Sequence, residues 1–151
     1  MSTSETVIVG LGETGLSVAK HLAARKQSFK VIDSREHPPA LETLKQLMPE
    51  IAIEVGELNQ KTIIEASELV VSPGLSIKTP EIAAAAEQGI PITGDIDIFS
   101  KSVSKPIIAV TGSNGKSTVV AILAGILSKA GMNFGLGGNL DGANFKPALD
   151  L

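Results

Sequence analysis

The feature that most constrains this chain is a turn set between a β-branched run and an amphipathic run: 7-VIVGLGETGLSVA-19. Thr6–Val9 reads as a buried parallel strand that ends at a glycine. Leu16, Ala19, Leu22 and Ala23 then recur at helical spacing across Thr14–Arg25. Between them lies Gly10-x-Gly12-x-x-Gly15. The first glycine of such a turn permits a tight bend and the second lets backbone approach a pyrophosphate. The third lets the helix pack on the strand. The free N–H groups at the helix start face an anion. Asp33 closes the next strand, where a dinucleotide fold carries its ribose-binding acid. The local motif alone therefore reads as nucleotide or NAD binding, or as glycines that only permit close packing.

The same alternation runs on. Strands are expected at Phe29–Ile32, Ile51–Val55, Leu69–Val71 and Ile90–Thr93. Helices are expected at Pro38–Met48, Gln60–Ala66 and Glu81–Gln88, with Gly89 as a C-terminal cap. This order predicts an α/β fold, a Rossmann-like parallel sheet flanked by helices, over residues 1–100. The segment 100-SKSVSKP-106 is polar, weakly patterned and ended by proline, and reads as a boundary.

A second unit is expected from 101 to 151. It opens with strand Ile107–Val110, the loop 111-TGSNGKST-118, a helix from Lys116 to about Ala130 and a strand at Met132–Leu136. This is the first βαβ unit of a P-loop domain and too little for an independent core, so the chain reads as the front part of something longer. The full P-loop pattern places a glycine where Val110 stands, so the loop is a shortened G-x-x-G-K-S-T form. Its chemistry survives the shortening. Successive N–H groups from Gly112, Ser113, Asn114 and Gly115 form an anion nest. Lys116 reaches the β- and γ-phosphates, and Ser117, with Thr118 beside it, offers a hydroxyl to Mg2+. Without an anion, a lysine at a helix N-terminus opposes the helix dipole.

Other patches are less decisive. Ser72-Pro73-Gly74 follows a strand and is explained by a type II turn or by a ligand-facing edge. The run 135-GLGGN-139 is either backbone passing close to a ligand or a flexible connector. Within 33-DSREH-37, an aspartate, serine and arginine are placed to grip a nucleoside or to form a solvated loop. His21 and His37 lack carboxylate or histidine neighbours at metal-ligand spacing and read as structural or solvated.

Composition narrows the options. Hydrophobic residues make up 43% and charged residues 19%, which suits a soluble globular protein. With a net charge of −3 and no tryptophan or tyrosine, binding to nucleic acid or a membrane surface is not expected, nor is an obligate protein partner. The absence of cysteine excludes disulfides and thiolate metal sites and fits a cytoplasmic location. The N-terminus lacks signal-peptide features, and the longest apolar run, 119-VVAILAGIL-127, is too short to span a bilayer.

Taken together, GLGETG, the SPG turn, 94-GDIDIF-99, TGSNGKST and GGN resemble the Mur ligases of peptidoglycan synthesis, across essentially the whole chain. The resemblance implies that the first loop binds the UDP of a UDP-MurNAc-peptide rather than NAD. It implies UDP contacts from Gly12, Glu13, Thr14, Gly15, Asp33, Ser34, Arg35, Gly74 and Asn139. It implies that residues 112–118 hold ATP, that Ser117 binds Mg2+ and that Lys116 is the catalytic residue present. The implied reaction joins D-glutamate to UDP-N-acetylmuramoyl-L-alanine through an acyl phosphate. The family's remaining catalytic groups would lie beyond Leu151, so the chain is expected to be inactive in ligation by itself.

Overall fold

The computed structural model describes residues 5–138 and 146–151. Five strands, β1 (Thr6–Val9), β2 (Phe29–Asp33), β3 (Ile53–Val55), β4 (Glu68–Val71) and β5 (Ile92–Thr93), form one all-parallel sheet in the order β3-β2-β1-β4-β5. The helices are α1 (Glu13–Ala24), α2 (Leu41–Leu47), α3 (Gln60–Ile64), α4 (Pro80–Glu87), α5 (Asp95–Ser102) and α6 (Lys116–Lys129), and a 3-10 turn follows at Ala148–Asp150. The α/β parallel-sheet reading therefore holds for the front of the chain.

The β-branched strands bury both faces because successive side chains alternate across the sheet. Ile8, Val31 and Val70 face α1 and α2, packing with Val18, Leu22 and Leu44. Val7, Val9, Ile32, Leu69 and Val71 face the other way, onto Ile63 of α3 and Ile82 and Ala85 of α4. Each parallel crossover thus places one helix on the sheet. Since β1 sends its chain to β2 on one side and borders β4 on the other, the sheet has its topological switch point between β1 and β4. Ligands of open α/β sheets bind at the carboxyl edge there.

The glycine turn is built at that edge. Gly10 has φ +101°, a left-handed conformation that suits glycine, and a Cβ on it would stand 2.9 Å from Ser72 Cβ. A Cβ on Gly15 would overlap the carbonyl oxygen of Gly10. Gly12 is different: its φ is −100° and a Cβ there meets nothing within 4 Å.

Two expectations change. Helix α5 lies partly where a linker was expected. Its start is fixed by the Asp97 carboxylate, which accepts from the Gly94 N–H at 3.0 Å, and by two acids in the first turn. The strands expected at 107–110 and 132–136 are not formed, although helix α6 is. No described strand lies beside either segment, and a strand without a neighbour leaves its backbone groups unpaired. Ile108, Ile122, Ile126 and Met132 are 57–63% exposed. Among the described residues no helix is long and apolar enough to cross a membrane.

Gly15→Ala should cost about 3 kcal/mol or more, because the obstacle is backbone and cannot repack. Gly12→Ala should cost under about 1 kcal/mol. Urea denaturation of the two variants checks the contrast.

Candidate functional site

Asp33 organises the carboxyl edge. It is 2% exposed, and its carboxylate accepts four hydrogen bonds. Oδ2 takes the Leu11 N–H and Arg35 Nη2, each at 2.6 Å. Oδ1 takes the Arg35 N–H and Arg35 Nε, each at 2.9 Å. A carboxylate offers about four lone-pair directions, so none remains for a ribose hydroxyl in this arrangement. Burial pushes the carboxyl group up in pKa. The Arg35 side chain and the Leu11 and Arg35 N–H groups outweigh that and hold it below its ordinary value of 3.8.

On the other side of the turn, the Ser72 hydroxyl donates to the Gly10 carbonyl at 2.9 Å. Ser72 N–H donates to Val9 and Gly10 N–H to Ile32, so the turn is tied to both neighbouring strands. In sequence Ser72 is legible only as the first residue of the Ser72-Pro73-Gly74 turn; its hydrogen bond to Gly10 is not. Leu75 N–H closes a turn onto the Ser72 carbonyl at 2.9 Å. Gly74 lacks the positive φ of a type II turn, so that expectation is corrected, and a Cβ on it would meet nothing within 4 Å.

These pieces enclose a crevice of about 500 Å3 that gathers Gly12, Glu13 and Thr14 with Asp33, Ser34, Arg35 and Gly74. Gly12 is the N-cap of α1 and no side chain caps that helix. Its first N–H groups therefore lack side-chain partners, the situation in which a helix start receives an anion. Glu13 is exposed at the rim, Ser34 and Arg35 are exposed, and Gly15 is buried in the turn. Asn139 lies outside the described residues.

The second loop stands apart from this crevice. Gly112 has φ +145° and Gly115, the N-cap of α6, has φ +76°. Ser113, Asn114, Ser117 and Thr118 are exposed. Lys116 Nζ folds back and donates to the Gly112 carbonyl at 2.6 Å. The loop thus already curls around its own lysine. Among the described residues no cluster of three acidic or histidine side chains forms a metal site. His21 contacts Arg25 and Ser102, in keeping with a structural role.

The family description "Mur ligase MurD-like, N-terminal domain" matches residues 4–94. The chain belongs to the MurD-like Mur ligase family. It is 48% identical over 139 residues to the UDP-N-acetylmuramoylalanine--D-glutamate ligase of Coxiella burnetii (strain RSA 331 / Henzerling II), covering 92% of this chain and 31% of that protein. To the ligase of the same name from Pseudomonas aeruginosa PAO1 it is 44% identical over 145 residues, covering 96% and 32%. The chain therefore spans about a third of the length of these MurD-type relatives. Among solved structures, UDP-N-acetylmuramate-alanine ligase MurC from Thermotoga maritima matches with a TM-score of 0.56 at 22% identity, over 95% of this chain and 34% of that one. A pseudomurein peptide ligase type C from Methanothermus fervidus matches with a TM-score of 0.54 at 23% identity, over 85% and 27%. These two likenesses concern the fold.

Asp33 ties stability to pH. Its folded pKa lies below 3.8, so its contribution is full above that value and is lost as pH falls through the folded value. Asp95 has the opposite sign. Burial and the nearby Asp97 charge hold it above 3.8, so its contribution is full below 3.8 and is lost as pH rises through the folded value. Asp33→Asn should cost about 2 kcal/mol at neutral pH, because the amide turns a donor toward Arg35. The gap between wild type and variant should close as pH drops below 3.8. Denaturant titrations at stepped pH measure it, and a gap independent of pH contradicts the ionised clasp.

Proposed function

We propose that the chain is the uridine-nucleotide-binding front of a cytoplasmic, ATP-dependent ligase that joins D-glutamate to UDP-N-acetylmuramoyl-L-alanine. The observation that carries the uridine site is the pair of glycines, Gly12 and Gly74. Neither is required by backbone dihedral or by packing, and both border the crevice at the uncapped start of α1. Side chains there would fill space that a ligand needs. Family membership and the names of the MurD-type relatives support the substrate.

In this reading the N–H groups of Gly12, Glu13, Thr14 and Gly15 hold the diphosphate, with the helix dipole aiding. Ser34, Arg35 and Gly74 border the uracil and ribose. Asp33 acts mainly by holding the loop and Arg35 in place, since its acceptor sites are occupied. Asn139 is assigned to the sugar-diphosphate portion from the family resemblance alone. The same filled carboxylate disfavours the NAD alternative, which needs a free acceptor for ribose hydroxyls.

Residues 101–151 open the ATP-binding domain. Gly112, Ser113, Asn114 and Gly115 supply backbone donors, and Thr118 flanks them. Lys116 leaves the Gly112 carbonyl to meet the β- and γ-phosphates as a point charge. The exposed Ser117 hydroxyl, an oxygen donor of suitable hardness, would hold Mg2+. Bound there, Mg2+ would supply positive charge to offset that on the transferred phosphoryl group. A carboxylate oxygen of the L-alanine end attacks the γ-phosphorus and ADP leaves. The D-glutamate amine then attacks the acyl carbon, phosphate departs and a proton is lost, leaving the amide. Lys116 stabilises charge in the first transfer.

Calorimetric titration should show UMP and a UDP-sugar binding more tightly than NADH. Gly12→Val should weaken both uridine ligands by about tenfold or more, with the folded state retained. Tighter binding of NADH would overturn the uridine assignment. Lys116→Ala should leave UMP affinity unchanged and lower ATP affinity by about tenfold or more.

A further inference from the structure

Residues 146–151 fold back onto the front of the chain. Ala148 is 3% exposed, and Leu149 packs with Ile98 against the core face that carries α1 and α2. Ser17 lies on α1, is 1% exposed, and donates its hydroxyl to Asp150 Oδ1 at 2.7 Å. A serine on the buried side of a helix costs stability unless its hydroxyl is used. Here Asp150 uses it.

The same short segment grips the second glycine corner. Gly138 N–H donates to the Lys146 carbonyl at 2.9 Å, and Gly137 and Lys146 form an isolated parallel bridge. A Cβ on Gly137 would stand 2.7 Å from Leu151 Cδ1 and 3.1 Å from Ala148 Cα, and one on Gly135 would stand 3.2 Å from Leu151 Cδ2. The corner can lie against the strap only because these positions lack side chains. Between strap and α1 opens a hollow of about 330 Å3 bordered by Glu13, Lys20, Lys146 and Asp150. Glu13 also borders the uridine crevice, so the hollow and the crevice adjoin at that side chain.

We propose that Ser17 is a positioning residue. Through Asp150 it clamps residues 146–151 to α1, which fixes Lys146, Pro147 and Asp150 as the strap side of the hollow and holds the 135–138 corner against the strap. The hollow receives the polar group, a sugar, that a uridine diphosphate ligand carries beyond its phosphates. The assignment of the hollow rests on the uridine reading above; the clamp does not. Ser17 touches no ligand and acts only through the strap.

The test compares wild type with Asp150→Ala, which removes an exposed side chain, and with Ser17→Ala and Ser17→Thr. Amide hydrogen exchange at Gly138 should quicken by about tenfold in the two alanine variants, while core amides of β1 and β4 hold. Ser17→Thr should keep the wild-type rate. In the same proteins UMP affinity should stay within about twofold, and the advantage of UDP-N-acetylglucosamine over UMP should shrink by about fivefold or more. Unchanged Gly138 exchange overturns the clamp. Equal loss of UMP and UDP-sugar affinity, or an unchanged ratio between them, overturns the role of the hollow. If wild type binds neither uridine ligand, the uridine reading and the hollow fail together, and Gly138 exchange still decides the clamp.

Discussion

Everything at the carboxyl edge of this sheet is referred to one buried carboxylate. Asp33 stands at the end of β2 and reaches across to the Leu11 N–H, in the middle of the glycine turn, while its other contacts hold Arg35. Burying a carboxylate carries a desolvation cost of several kcal/mol unless its oxygens are satisfied. Four hydrogen bonds, two of them from a guanidinium in fork geometry, offset that cost and keep the group ionised. The turn between β1 and α1 is thereby fixed from the β2 side. Ser72 fixes it from the β4 side through the Gly10 carbonyl. A loop held from both flanking strands can present backbone donors without a ligand to organise them, which lowers the ordering cost of binding.

With the loop held this way, its three glycines separate into two kinds. Gly10 is set by its dihedral and by Ser72, and Gly15 by the carbonyl it lies against. Those two serve the fold. Gly12 serves nothing inside the fold, and neither does Gly74 across the crevice. A motif reading treats all the glycines as one signature, and only three-dimensional context shows which of them leave room for something external. The switch-point topology explains why the two unforced glycines face each other: β1 and β4 are neighbours in space whose following segments diverge to opposite faces.

Most of the front fold was legible because its signals are local. β-Branched runs such as 6-TVIV-9 and 69-LVV-71 can only be buried strands in so short a span, and the helices between them carry clear apolar spacing. The grouping of Asp33, Ser34 and Arg35 near the glycine turn was likewise readable from strand order. What sequence hid was pairing. Nothing in the string shows that Asp33 would spend its acceptors on Leu11 and Arg35, or that Ser17 would meet Asp150 from the far end of the chain. Helix α5 was missed because its apolar content is thin, and its start rests on Asp97 reaching the Gly94 amide. The strands expected at 107–110 and 132–136 had the right composition, yet strand formation is a property of a pair.

The two phosphate-type loops thus reach their shapes by different routes. The first is imposed by tertiary contacts, through Asp33 and Ser72, and it exists as a preformed cradle. The second is imposed by its own dihedrals. Gly112 and Gly115 adopt positive φ, and α6 begins directly at Lys116 even though none of its residues is buried. Local conformation therefore suffices to curl TGSNGKST, but it does not suffice to aim the lysine. The Lys116 ammonium donates to the Gly112 carbonyl inside the curl. A phosphate entering the nest must displace a hydrogen bond already made to a neutral acceptor, and a charged acceptor is the stronger partner in that exchange. The lysine's resting contact lies within the loop it is proposed to serve, so the move from carbonyl to phosphate is short.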